Sequence, residues 1–237
     1  MKSKEIQELK EQLSSLSIED VLSFLAEKFG DKVVFSSSFG MEDQVITHYI
    51  LHHQLPIRIF TLDTGRIFEE TYKTWENTNV RYHTKIQAYY PHAQSVEDLV
   101  RENGPNCFYD STELRKKCCY IRKVEPLNRA LEGKEIWITG LRAQQSSARE
   151  NLEKIEWDET NHIIKFHPLL HWSLEEVKEF IKTNQIPYNH LHDKGFVSIG
   201  CAPCTRAIKE GEDFRAGRWW WEDQSKKECG LHWQEPK

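Results

Sequence analysis

The sequence predicts an α/β fold: a mainly parallel, twisted sheet flanked by helices, closing with a C-terminal tail that moves. Three observations predict it. Short apolar runs of strand length alternate with segments of helical period, which implies parallel strands joined by right-handed crossovers. No repeat, low-complexity stretch or linker divides the 237 residues, so one sizeable domain is expected. Three polar motifs, Ser36–Gly40, Asp63–Gly65 and Gly140–Arg142, fall where strands should end. In such sheets ligands bind beyond the carboxyl ends of the strands.

The elements follow in order. Residues 1–30 form a helical cover of two helices; Ser17 caps the second, with Asp20 three residues on and Ile18, Val21, Leu22, Leu25 and Phe29 on one face. Lys32–Ser36 is the first strand, leading through Ser37–Gly40 into a helix that carries Met41, Val45, Ile46, Tyr49 and Ile50 on one side. Ile57–Leu62 is the second strand, a short third is placed near Arg81–Ile86, and Glu135–Thr139 is the fourth. A late helix opens at Ser173 with Glu176 in capping-box position and stops before Pro187. Residues 31–204 thus form the core. Residues 205–237 are an ordered segment, with an aromatic knot at Trp219–Trp221, followed by the tail.

Composition excludes several classes. Hydrophobic residues are 38% and charged residues 29%, as in soluble globular chains. No apolar run nears the roughly 20 residues of a membrane span, and no export signal is seen, so a cytoplasmic location is expected. A net charge of −5, from 32 Lys+Arg against 37 Asp+Glu, disfavours bulk nucleic-acid binding. It leaves room for a local cationic pocket.

Ser36, Ser37, Ser38 and Gly40 lie between a strand and a helix, where hydroxyls and backbone N–H groups make an anion site. The loop is neither a Walker A nor a Rossmann fingerprint. Read alone, it is as well explained as a tight serine-rich turn. Lys123, Arg142, Arg149, Arg215 and Arg218 are candidate anion-binding cations, although a single arginine is usually a solvated surface charge.

Five of the six cysteines form a pattern. Cys118 and Cys119 are adjacent, and Cys201 and Cys204 make a C-x-x-C. In a reducing compartment such pairs bind metal or act in catalysis more often than they form disulfides, and a bridge between adjacent cysteines is strained. Four thiolates suit an iron–sulfur cluster or zinc. Zinc ranks second because its structural sites normally use two spaced knuckles. Cys107 is read as an ordinary thiol. Cys229 stands near Lys226, Lys227 and His232; such cations lower a thiol's pKa and make it a nucleophile. Cys229 and His232 are the candidate catalytic residues.

Taken together, these residues resemble the assimilatory adenylyl-sulfate (APS) reductase family and its 3′-phosphoadenylyl-sulfate (PAPS) relatives. The resemblance runs from about residue 30 to the end. It rests on Ser36-Ser37-Ser38-Phe39-Gly40-Met41-Glu42-Asp43, Leu62-Asp63-Thr64-Gly65, Cys118-Cys119-Tyr120-Ile121-Arg122-Lys123, Gly140-Leu141-Arg142, Gly200-Cys201-Ala202-Pro203-Cys204, Asp213-Phe214-Arg215-Ala216-Gly217-Arg218-Trp219 and Glu228-Cys229-Gly230-Leu231-His232. It implies an adenine-nucleotide α-hydrolase-like fold. Ser36, Ser37, Ser38, Gly40, Glu42, Asp43, Leu62, Asp63, Thr64 and Gly65 would hold the nucleotide. Lys123, Arg142, Arg149, Arg215 and Arg218 would face the phosphosulfate, and Cys118, Cys119, Cys201 and Cys204 would bind a [4Fe–4S] cluster. The implied activity is thioredoxin-dependent reduction of APS to sulfite and AMP through an S-sulfo intermediate on Cys229.

The APS/PAPS preference, the donor (thioredoxin or glutaredoxin) and a homo-oligomer stay open. The chain departs from the family at Ala143-Gln144-Gln145, where many relatives carry an Arg-Arg-Asp-Gln run beginning at the first arginine. It ends eight residues after Cys229, so the reductant is expected to be a separate protein. The rivals are a PP-loop ATP pyrophosphatase, which shares the fold but uses a Ser-Gly-Gly-x-Asp-Ser loop, and a metal-bound sensor.

Overall fold

A computed structural model describes residues 2–146, Arg149 and residues 151–222. Helices α1 (Lys2–Leu13) and α2 (Ile18–Phe29) come first. The Ser17 hydroxyl accepts from the Asp20 N–H at 3.1 Å, capping α2, and Gly30 ends it at φ +55°, where a side chain would be strained. Val21, Leu22 and Leu25 are buried and join Ile6, Leu9 and Leu13 of α1 in the main core.

The sheet has six strands in the order β3-β2-β1-β4-β6-β5. They are β1 (Val33–Ser36), β2 (Arg58–Leu62), β3 (Gln87–Tyr89), β4 (Ile136–Ile138), β5 (Ile155–Asp158) and β6 (Ile163–Phe166). All pairs are parallel except β5 with β6. β1 and β4 are covered on both faces, so they are continuous apolar runs rather than alternating ones. Helices α3 (Met41–His52), α4 (Glu69–Tyr82), α5 (Ala93–Asn103), α6 (Thr112–Cys119), α7 (Glu125–Leu131) and α8 (Leu174–Thr183) make up the rest. A π turn, Tyr120–Val124, joins α6 to α7.

The third strand lies at Gln87–Tyr89, not near Arg81–Ile86. α4 holds the chain helical through Tyr82, because buried Thr71, Thr74 and Thr78 recur at helical spacing, and His83 closes it at φ +48°. The β5–β6 hairpin was not expected from the sequence. It contains the buried ion pair Lys165–Asp158 at 2.7 Å, whose charges break the apolar signal of a sheet strand. The Ser173 cap of α8 is a full capping box: Glu176 N–H donates to Ser173 Oγ at 3.1 Å, and Ser173 N–H to Glu176 Oε2 at 2.7 Å. Residues 205–222 pack through the buried Trp219 and through Arg206, which donates to both carboxylate oxygens of Glu212. Among the described residues no helix is long and apolar enough to cross a membrane.

The strand order reverses between β1 and β4. The crevice at their carboxyl ends is therefore the place where such a fold binds a ligand.

Candidate active site

β1 delivers the chain to that crevice at Ser36. Ser37 N–H continues the ladder to the Phe60 carbonyl at 2.8 Å. Phe39 then takes φ +59°, uncommon for a bulky residue, and is held there by full burial and by stacking on Trp75 at 5.6 Å. This kink brings Ser38 over the start of α3, where its N–H and hydroxyl both donate to Asp43 Oδ2, at 2.6 and 2.7 Å. Burial nonetheless raises the Asp43 carboxyl to about 6, against the lowering effect of the two Ser38 bonds. Gly140, at the end of β4, packs on this carboxylate. A Cβ there would overlap Asp43 Oδ1 and stand 3.3 Å from its backbone nitrogen.

The resulting cleft encloses about 1140 Å³ out to its mouth, enough for a mononucleotide. Ser36, Ser37, Ser38, Gly40, Glu42, Asp43 and Leu62 line it. Lys123, Arg149, Arg215 and Arg218 line it as well, so four of the five expected cations converge on one cavity. Arg142 is the exception. It is 1% exposed and turned into the wall, where its Nε donates to Glu42 Oε1 at 2.7 Å. Gln145 donates to the same Glu42 oxygen at 3.0 Å, and Arg149 donates to Gln145. The Gln144 and Gln145 departure therefore serves this wall.

Asp63, Thr64 and Gly65 also stand off the cleft. Asp63 accepts from Gly65 N–H and from the Tyr72 hydroxyl, both at 2.8 Å, shaping the turn after β2. Thr64 faces the cysteines, its Oγ1 3.3 Å from Cys201 Sγ. Sequence reasoning missed Thr139, His192 and Phe214, which line the cleft too. Thr139 directly follows β4, a placement the strand prediction could have signalled; His192 and Phe214 lie in loops whose path no local pattern gives.

Cys118, Cys119, Cys201 and Cys204 surround a second cavity, of about 320 Å³ with its open part, together with Arg66, Arg115, Arg122 and Lys123. α6 presents the first two cysteines. The Ala202–Cys204 turn presents the others, closed by Cys204 N–H on the Cys201 carbonyl at 2.9 Å. None of the five described cysteines is in a disulfide. Burial raises the Cys118 thiol and pushes Cys204 up to about 12, with Cys201 adding to both and with Arg122 (for Cys118) and Arg218 and Lys123 (for Cys204) opposing. Uncompensated thiolates are thus costly here, and a cationic centre would remove that cost. Among the described residues no three His, Cys, Asp or Glu side chains gather into a site for a metal ion. Cys118, Cys119, Cys201 and Cys204 nonetheless all line this one cavity, a donor set that suits an iron–sulfur cluster or zinc.

The two cavities share Lys123. It sits in the π turn, a device that re-aims side chains within a helix and recurs at functional sites. Gly200 serves the same junction, because a Cβ there would overlap the Arg218 guanidinium. Cys229 and His232 lie outside the described residues.

A family model described as "Phosphoadenosine phosphosulfate reductase domain" matches residues 32–207. The chain is 53% identical over 205 residues to an adenosine 5′-phosphosulfate reductase of Allochromatium vinosum, covering 86% of this chain and 80% of that one. It is 46% identical over 220 residues to one of Agrobacterium fabrum, covering 93% and 84%. A crystal structure of a phosphoadenylyl-sulfate reductase from Candida auris, in complex with phosphate, superimposes with a TM-score of 0.72 at 30% identity, over 86% of this chain and 96% of that one. An FMN adenylyltransferase of Candida glabrata shares the fold alone, with a TM-score of 0.54 at 17% identity over 90% and 79%. The fold is adenine-nucleotide α-hydrolase-like.

Proposed function

Because the chain belongs to the phosphoadenosine phosphosulfate reductase family, we propose that its cleft binds adenylyl sulfate and that Cys229 begins its reduction to sulfite and AMP, with reduced thioredoxin or glutaredoxin as donor. One observation carries this reading: Lys123 lines both the nucleotide cleft and the four-cysteine cavity. The reacting phosphosulfate belongs where those two meet.

The adenylyl part lies against the Ser36–Gly40 loop and the start of α3. The phosphosulfate lies against Lys123, Arg149, Arg215 and Arg218, which offset its charge and the charge that builds on the departing phosphate. The Cys229 thiolate attacks the sulfur, the bond from sulfur to the bridging oxygen breaks, and AMP leaves with that electron pair. The product is Cys229–S–SO₃⁻. A thiolate of the reduced partner then attacks the Cys229 sulfur and releases sulfite. The partner's second thiol resolves the mixed disulfide, so two electrons come from the dithiol and Cys229 returns as thiolate. Residues 205–237 supply Cys229 to both encounters, first with substrate and then with the partner.

Cys118, Cys119, Cys201 and Cys204 would hold a [4Fe–4S] cluster, which supplies a fixed charge centre beside the phosphosulfate site. Arg115, Arg122 and Lys123 offset the negative charge of the tetrathiolate. Clustered thiols and a thiol nucleophile suit a reducing compartment, and a cytoplasmic location is part of this reading.

The test is sulfite release from APS and from PAPS, with reduced thioredoxin and with glutaredoxin, using iron-assayed protein. Turnover of APS supports the reading. Turnover of PAPS at equal kcat/KM makes the protein a dual reductase. Hydrolysis of ATP to AMP and pyrophosphate, with no sulfite from either donor, replaces the reading with a pyrophosphatase.

A further inference from the structure

Glu222 is the last described residue before Cys229, which follows it by seven positions. Its carboxylate is turned inward. Arg115 Nε donates to Glu222 Oε1 at 3.0 Å and Arg115 Nη2 donates to Oε2 at 2.8 Å, a two-pronged contact between side chains only 2% and 5% exposed. Arg115 belongs to α6, three residues before Cys118, and lines the four-cysteine cavity. The same guanidinium lies over the Trp219 ring, 4.6 Å from its centroid.

A second set of bonds holds the same stretch from the other side. Trp219 N–H donates to the Cys204 carbonyl at 3.1 Å, and Glu222 N–H donates to the Trp219 carbonyl at 2.9 Å. Trp219 is buried and takes φ +42°, which a bulky residue holds only where its surroundings fix it. Residues 219–222 are thus tied both to the helix that carries Cys118 and Cys119 and to the turn that carries Cys204. Arg115, Trp219 and Glu222 do not line the anion cleft.

A buried ion pair adds little stability over an apolar pair of similar size, because desolvating two charges offsets their attraction. What a two-pronged pair adds is a defined position and direction. Here that position is the root from which the chain runs on to Cys229. Seven residues span at most about 25 Å, so a fixed root confines the thiol and keeps its effective concentration high. A root freed back to the Thr205–Arg218 bridge would lengthen the tether from seven residues to eleven and let its direction wander.

We propose that Arg115 and Glu222 are positioning residues for the catalytic thiol: their ion pair clamps the root of the C-terminal segment to the four-cysteine site, and Cys229 is delivered from that fixed point. This rests on Cys229 being the nucleophile that takes up the sulfo group. The pair acts only through the segment it holds.

The test is E222Q, close in shape but uncharged, in the full chain with iron assayed. AMP affinity is measured by calorimetry. The single-turnover rate of sulfo-adduct formation on Cys229 is followed at saturating APS by rapid quench and peptide mass. AMP affinity and iron content should match wild type, while the adduct rate falls about tenfold. The longer tether accounts for about twofold and lost direction for the rest. E222D, which keeps the charge, should recover part of the rate. An E222Q rate within about twofold of wild type overturns the clamp. So does a parallel loss of AMP affinity or iron, which would make the pair a support of those sites instead.

Should E222Q fail to fold, hydrogen exchange of the wild-type protein decides. The Trp219 and Glu222 amides should be protected at least about a hundredfold against free-peptide rates, and weaker protection shows a loose root and overturns the proposal. Failure here is separable from failure of the reductase reading. An unchanged E222Q rate removes only the clamp, whereas a wild type that forms no adduct removes both.

Discussion

Thr64 Oγ1 lies 3.3 Å from Cys201 Sγ, and the Thr64 carbonyl accepts from Arg122 at 2.6 Å. The turn after β2 is thereby tied to both halves of the four-cysteine site. Hydrogen bonds to ligating sulfurs tune an iron–sulfur centre. The Thr64→Val variant should fold, retain iron and lose about fivefold in kcat/KM for APS, equivalent to about 1 kcal/mol for one hydrogen bond. Parallel iron and sulfite assays check this, and loss of iron would show that the hydroxyl acts on cluster retention instead.

Arg142 acts on stability before it acts on substrate. Its ion pair with Glu42 is buried on the arginine side. Removing one partner strands the other, so Arg142→Met should cost about 3–5 kcal/mol. Urea denaturation of Arg142→Met, Glu42→Gln and the double variant checks this: the double should be less destabilised than the sum of the singles.

Gly140→Ala forces a methyl group onto the Asp43 carboxylate. Overpacking of this kind costs about 1–3 kcal/mol. It also displaces the start of α3, so AMP affinity should fall at least about tenfold. Calorimetric titration with AMP, alongside a thermal melt, separates the two effects.

Asp43 makes stability depend on pH. Its folded pKa, about 6, lies above the ordinary 3.8, with burial the largest cause. Its contribution is fully present below about pH 4 and is lost as pH rises through 6. Over that window the shift corresponds to about 3 kcal/mol. The stability of wild type relative to Asp43→Asn should therefore fall by that order between pH 4 and pH 6.5. Equal pH slopes for the two proteins would show that folding leaves the Asp43 carboxyl at its ordinary pKa.

Much of this site was legible in the chain because its parts are local. Ser36–Gly40 announces itself as a strand-to-helix turn, and the cysteine pairs announce themselves by spacing. What the chain hid was direction. Nothing local distinguishes Arg142, which turns into the wall, from Arg149, which lines the cleft seven residues later. The β5–β6 hairpin escaped notice because Asp158 and Lys165 neutralise one another only across the pair. The third strand lies later than its sequence pattern suggests because α4 buries threonines, not large apolar residues, along its inner face. His192 lines the cleft from the turn before Gly195, a long-range placement that no local pattern carries.

The measurement closest to the centre of the account is intact-mass and peptide analysis of the reduced protein mixed with APS, without a thiol donor. One sulfo group should appear on Cys229, and AMP should be released in equal amount. Reduced thioredoxin should then discharge it as sulfite, while Cys229→Ser binds APS, keeps its iron and acquires no adduct. An unmodified Cys229 alongside continued sulfite formation would contradict the account.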